Sequence, residues 1–195
     1  MWERDDCEEW RGALERYAGV IEAEGNERLT RLDGWYGFEL PAALGARHES
    51  YITLEELERI TAWKMTRGVW RERNRQLVRS NDPEEVKRLS KQAFSEAPDL
   101  RKPVGTLSAL AGVGPATASA VLAAYAPKLY PFFDELVAAQ IPGLGPVAFT
   151  AKYYAAYVEK LRERAARMAE VCGVEWTVQD LAQALWVRAK ESSPT

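Results

Sequence analysis

Apolar residues recur at helical spacing along almost the whole chain. Between positions 8 and 23, Trp10, Leu14, Tyr17, Val20 and Ile21 fall on one side of a helix. The period is lost over 25–50. There LDGWYGFELPAALGARHES, rich in Gly, Pro and aromatics, reads as loop with one short helix at most. Thr53-Leu-Glu-Glu56 has the form of a capping box and predicts a helix to about Met65. Gly68 interrupts the run before a basic helix to about Val78. SNDPEE at 80–85 supplies a polar cap, Pro83 at the first position and acids in the first turn, and predicts a helix to Ala97. A further helix ends near Leu110, and Pro115 starts another to about Tyr125. Pro127 and Pro131 mark a loop, and Asp134 opens a short helix to about Gln140. PGLGP breaks the chain again. A long helix over 148–171 ends at Gly173, and Thr177 starts the last one, to about Lys190, ahead of a frayed tail, ESSPT. No segment reads as a strand, so the pattern predicts an all-α protein.

Composition narrows the chemistry. The chain has 195 residues, 47% of them apolar, which is enough for a substantial core. No apolar run approaches the roughly 18 residues of a membrane span, and MWERDDCEEW is too polar for a signal peptide. The expected setting is the cytoplasm, a nucleoid or a nucleus. Two cysteines, Cys7 and Cys172, cannot build an iron–sulfur cluster or a four-thiolate zinc site. A disulfide between them is open to the chain, though a reducing compartment disfavours it. One histidine, His48, argues against histidine metal sites and a Ser-His-Asp triad. Carboxylates or lysines are left to do any chemistry.

The net charge of −3 hides an uneven distribution. Residues 1–27 carry nine acids against three bases, residues 59–79 seven bases against one acid, and residues 100–133 no acid at all. Binding responds to local field, so a basic face for a polyanion is compatible with the acidic total. A solvated helical surface explains the same run.

The densest motif is LSALAGVGPATASAVL at 107–122. Two glycines permit a tight turn, Pro115 presets the helical dihedral, and Ala116, Ala118, Ser119 and Ala120 allow close helix packing. Free N–H groups at such a helix start form an anion site that grips a phosphate without reading sequence. With Pro127, Pro131 and Asp134, this stretch resembles the helix-hairpin-helix superfamily of base-excision DNA glycosylases, named for a hairpin, a Gly/Pro-rich loop and an aspartate. The spacing from Gly114 to Asp134 agrees with that family, and WKMTRG near 63–68 is similar to uncharacterised members.

The resemblance implies a two-lobed helical fold with a cleft. Residues 53–141 would form the hairpin lobe, and 1–52 with 142–195 the other. It implies a monofunctional glycosylase that flips a damaged or mismatched base out of duplex DNA, working as a monomer away from membranes. Asp134 would stabilise the cationic sugar and orient or deprotonate water. Gly112, Val113, Gly114, Ala116 and Thr117 would hold the phosphate. Phe132, Phe133, Trp63 and Tyr130 are candidates for the base pocket, and Lys64, Arg67, Arg71, Arg73 and Arg75 for backbone contacts. Trp70, and Trp35 and Tyr36 in their loop, are further aromatic candidates. No cofactor is implied beyond, at most, a structural monovalent cation at the hairpin.

Two departures limit the reading. Lyase members carry a lysine where this chain has Ala116, so that route is unsupported unless Lys64 or Lys102 substitutes. The four-cysteine cluster of some members is absent. Asp134 as a helix cap only, Glu55 and Glu56 as first-turn caps, and a non-catalytic helix-hairpin-helix protein that recognises DNA structure remain alternatives. GLGPVAFTAKYYAAY at 143–157 echoes GVGPATASAVLAAY at 112–125, one residue out of step.

Overall fold

Side-chain caps start most of the helices. In the computed structural model, which describes residues 1–192, Asp6 accepts from the Glu9 N–H ahead of α1 (Cys7–Glu15). α2 (Tyr17–Ala23) follows, and Asn26 caps α3 (Glu27–Gly34). The chain then continues through one wide turn, Trp35–Glu39, directly into α4 (Leu40–Ala46). Segment 25–50 is therefore mostly helical, a correction to the loop that its glycines and Pro41 suggest. Pro41 directly follows the wide turn, where the Leu40 N–H bonds back to the Trp35 carbonyl and the regular ladder is already interrupted. Trp35 and Tyr36 are buried instead of presented in a loop, and Tyr36 donates to the Ala120 carbonyl at 2.7 Å. Tertiary packing overrides local propensity here.

The Thr53–Glu56 capping box opens α5 (Leu54–Arg67) with both reciprocal bonds made. α6 (Glu72–Arg79) follows the break at Gly68, and Asp82 caps α7 (Pro83–Ser95). α8 (Lys102–Leu107) leads into the Gly-Val-Gly turn and α9 (Pro115–Tyr125). Next come α10 (Glu135–Ala138), α11 (Ala151–Cys172), which ends on Gly173 at φ +67°, and α12 (Val178–Ser192). No strand occurs among the described residues, so the protein is all-α. Residues 193–195, the end of ESSPT, lie outside the described residues.

α9 is the centre of the packing. Thr117 through Ala124 are all buried, and the small side chains let α4, α5 and α8 close on it. α1 and α2 pack on α12, and α3 packs on α5. The buried apolar residues form one continuous cluster, which crosses the divisions at 53 and 141.

Ion pairs tie the N-terminal segment to the last two helices. Asp5 pairs with Arg164 and Arg167 of α11, and Arg16 with Glu191 of α12. Cys7 and Cys172 are joined by a disulfide, with their Cα atoms 5.7 Å apart. The compartment argument disfavours this bond, but packing of α1 beside the end of α11 brings the two residues together.

Candidate functional site

The site is a recess of about 160 Å³ in which α5, α9 and the loop ahead of α10 meet. A dry engineered cavity of roughly 150 Å³ holds one benzene, so the scale is that of one aromatic ring. Ala116 at the start of α9 and Asp134 both line it. Phe132 and Phe133 form one wall, Lys64, Arg67 and Arg71 contribute cations, and Val69, Leu136 and Phe149 expose apolar surface at the rim.

The hairpin turn is seated, not merely permitted. Gly112 has φ +74°. A Cβ there would lie 2.8 Å from the Asn74 carbonyl oxygen and 2.9 Å from a Val78 methyl of α6. Asn81 grips the preceding residue from both sides: its Nδ2 donates to the Ala111 carbonyl at 3.0 Å, and its Oδ1 accepts from the Ala111 N–H at 2.8 Å. Asn81 is a site residue that sequence reasoning missed. Val113 and Thr117 point into the core, so they anchor the turn from within. Gly114 is exposed with open space where a Cβ would be, and no side chain caps α9. The first N–H of α9 is that of Ala116, since Pro115 has none, and no side chain caps it. A monovalent cation at this turn would need free carbonyl oxygens. Those of Leu110 and Ala111 accept from the Val113 N–H and from Asn81, and each keeps a second lone pair.

The extended stretch from Pro131 to Asp134 is held by buried and half-buried side chains on three helices. Tyr154 and Tyr157 of α11 donate to the carbonyls of Pro131 and Phe132, each at 3.0 Å. Gln179 of α12 accepts from the Phe132 N–H at 2.8 Å. Ser119 of α9 accepts from the Phe133 N–H at 2.9 Å while donating to Ala116. Ser119 therefore ties the hairpin helix to the residue next to Asp134. Burial, with the Asp134 charge nearby, pushes the Tyr157 phenol well above its ordinary pKa, so it stays a neutral donor.

Asp134 is 9% exposed and faces the recess. Its Oδ1 caps α10, accepting from the Leu136 N–H at 2.9 Å. Its Oδ2 meets Arg67 at 3.4 Å. Arg67 is not a surface contact for phosphates: its side chain is 5% exposed. It also reaches Asp33 at 3.7 Å, hydrogen-bonds the Tyr17 hydroxyl, and lies over the Trp186 ring at 4.2 Å. Its Nε has no partner among the described residues. Burial disfavours the charge, but Tyr17, Asp134 and Asp33 outweigh it and raise the guanidinium pKa. One buried arginine is thus shared by two carboxylates, Asp33 and Asp134. Asp33 is bound further by Tyr17 and Trp63, each at 2.8 Å. Sequence reasoning missed Asp33 because it falls in the stretch read as loop. A signal for Arg67 was present: Ile60, Trp63 and Arg67 share the apolar stripe of α5.

The other expected residues divide cleanly. Trp63 lies behind the pocket wall, stacked on Tyr36 at 3.7 Å and edge-on to Phe132 at 4.9 Å. Tyr130 is wholly buried away from the recess and donates to the Asp99 carbonyl at 3.0 Å. Arg71 and Arg73 are exposed and have no ion pair among the described residues, whereas Arg75 pairs with Glu72. Trp70 lies beneath the Arg28 guanidinium at 4.3 Å. Glu56 caps α5 and pairs with Arg47.

No family model matches the sequence, and no curated protein or solved structure is significantly similar to it.

Proposed function

We propose that this protein is a DNA glycosylase that hydrolyses the N-glycosidic bond of a flipped base, with Asp134 as its catalytic carboxylate. One observation carries the reading: the uncapped N-terminus of α9 and the Asp134 carboxylate open onto the same recess. A phosphate held at Gly114 and Ala116 would set the attached sugar at a fixed reach from Asp134. Ser119 and the two tyrosines make that reach rigid. The flipped base would lie against Phe132 and Phe133. As the bond from C1′ to the base nitrogen breaks, positive charge develops on the sugar. Asp134 would stabilise it, held in place by the buried Arg67 that it shares with Asp33. Water would then add to C1′ and lose its proton to Asp134. Lys64, Arg71 and Arg73 would supply attraction for the DNA backbone. On this reading a monomer bends over a duplex lesion held between residues 53–141 and the chain ends.

The test is single-turnover base release from duplexes carrying uracil, hypoxanthine, alkylated purines, oxidised guanine and mismatched adenine. Wild type releases at least one of these bases, and Asp134→Asn is slower by about 10²-fold or more with DNA binding retained. A second reading, a non-catalytic DNA-binding protein, is favoured by the engagement of both Asp134 oxygens in the resting structure. It requires salt-sensitive binding by both proteins and no release from any duplex.

A further inference from the structure

Cys7 and Cys172 are the only cysteines of the chain, and the recess uses neither. Both are half-buried, where the start of α1 meets the end of α11. The packing beside their bond is incompletely satisfied. Glu9 Oε2, Arg164 Nε and the Trp176 indole N–H are buried there without a partner among the described residues. All three adjoin Trp10. Glu9 precedes it, the Arg164 guanidinium lies over its ring at 5.3 Å, and the Trp176 ring meets it edge-on at 6.5 Å. Buried groups without partners raise the energy of a closed arrangement and lower the cost of opening it. The same junction is linked to the recess by a short connector, residues 173–177, which runs from Cys172 to α12 and carries Trp176. Its Glu175 pairs with Lys128 at 3.0 Å. Just beyond it, the Gln179 N–H bonds the Pro127 carbonyl at 3.3 Å, and Gln179 Oε1 holds the Phe132 N–H at 2.8 Å. Asp5 meanwhile pairs with Arg164 and Arg167 at 2.6 and 2.8 Å, so the N-terminal segment stays docked without the disulfide, and opened thiols stay close enough to close again.

We infer that the Cys7–Cys172 bond is an exchange site for a dithiol reductant, and that opening it loosens the connector and the strand that presents Asp134. Asp6 and Glu8 beside Cys7 repel an incoming thiolate, whereas Val171, Gly173 and Val174 beside Cys172 are exposed and uncharged. The reductant's thiolate therefore attacks Cys172 Sγ. A new S–S bond forms, the Cys7–Cys172 bond breaks, and Cys7 leaves as a thiolate that takes up a proton. The reductant's second thiolate then attacks its own sulfur in the mixed disulfide and releases Cys172, which is protonated in turn. The protein gains two electrons and two protons, and the dithiol becomes a disulfide. With the bond open, Trp10 and Trp176 are held only by packing, and the connector can open as a local unit that takes Gln179 away from Phe132. The effect on base release rests on the glycosylase reading. The effect on the strand does not.

The experiment poises the full chain in mixtures of reduced and oxidised dithiothreitol. Alkylation counts the thiols, near-UV circular dichroism reports folding, and amide exchange read by peptide mass follows the stretches around Phe132 and Gln179. Base release is measured on the lesion duplexes in the same mixtures. The bond is expected to open and reclose with the protein folded. The opened protein should exchange both stretches roughly tenfold faster, with α7 unchanged, and release bases more slowly by a similar factor. Cys7→Ser and Cys172→Ser should match opened wild type and ignore the dithiol ratio. Equal exchange in the two states would overturn the inference, and so would loss of the native near-UV spectrum on reduction, which would make the bond a plain staple. A bond that stays closed in excess dithiol, or a dithiol response that survives Cys172→Ser, would overturn it as well. Faster exchange with no base release in either state would support the exchange site and overturn the glycosylase reading alone.

Discussion

Two stretches of this chain share nearly the same sequence and adopt different structures. Gly112-Val113-Gly114-Pro115 turns straight into α9, with Pro115 as the first helical residue. Gly143-Leu144-Gly145-Pro146 turns with both glycines at positive φ, but the chain then runs on without helix to Thr150, whose side chain caps α11 at the Tyr153 N–H. Surroundings account for the difference. The first turn is pressed onto α6, clamped by Asn81 and followed by alanines that let three helices close. The second has open space around its glycines, and its next residues are bulky. Its Phe149 remains half-exposed at the recess rim, 5.1 Å from the Phe133 ring. A Gly-x-Gly-Pro pattern thus permits a hairpin, and a seat on a neighbouring helix makes one.

The largest expected effect follows from that seat. Gly112→Ala meets both the left-handed backbone penalty, about 1–2 kcal/mol, and a backbone oxygen at 2.8 Å, for which overpacking adds about 1–3 kcal/mol. Gly143→Ala meets only the first. Denaturant unfolding of the two variants should therefore differ by roughly 1–3 kcal/mol, and equal losses would break the comparison. Next in size is Asn81→Ala, which removes both bonds to Ala111 and should cost about 2 kcal/mol. DNA affinity should fall with it, because the turn loses its clamp. Thr150→Ala removes the cap of α11 and should cost about 1 kcal/mol, read as a shift in the denaturation midpoint, with hairpin-dependent DNA binding unchanged. The smallest effect on stability belongs to Gly114→Ala, where φ is −97° and the space is open. Stability should change by less than about 0.5 kcal/mol. A methyl close to the uncapped Ala116 N–H should nonetheless weaken duplex binding, so this variant separates folding of the hairpin from its use.

Helix starts were legible because capping is local chemistry: Thr53, Asp82 and Asp134 all cap where the sequence puts them. The segment from Gly34 to Ala46 was not, because its helix depends on Tyr36 stacking on Trp63 and reaching Ala120, partners far along the chain. Within the site, Ala116, Phe132, Phe133 and Asp134 stand out in the sequence and line one recess. Arg67 was misread because a basic run resembles a solvated face, and its stripe with Ile60 and Trp63 outweighs that resemblance. Asp33 and Asn81 gave no signal that could be isolated, since each acts only through a partner brought to it by the fold.

The bond between Cys7 and Cys172 makes a covalent ring of most of the chain, with a sequence separation of 165. A ring has no loose end between its closing residues. One protease cut in the exposed stretch around Gly145 would leave two fragments still joined, with the hairpin and Asp134 on one and α11 on the other. They would run as a single species on a non-reducing gel and separate only with reductant. Chain entropy for the uncut ring corresponds to about 5 kcal/mol; in the nicked protein the bond instead keeps the two fragments in one molecule, so reductant should release them.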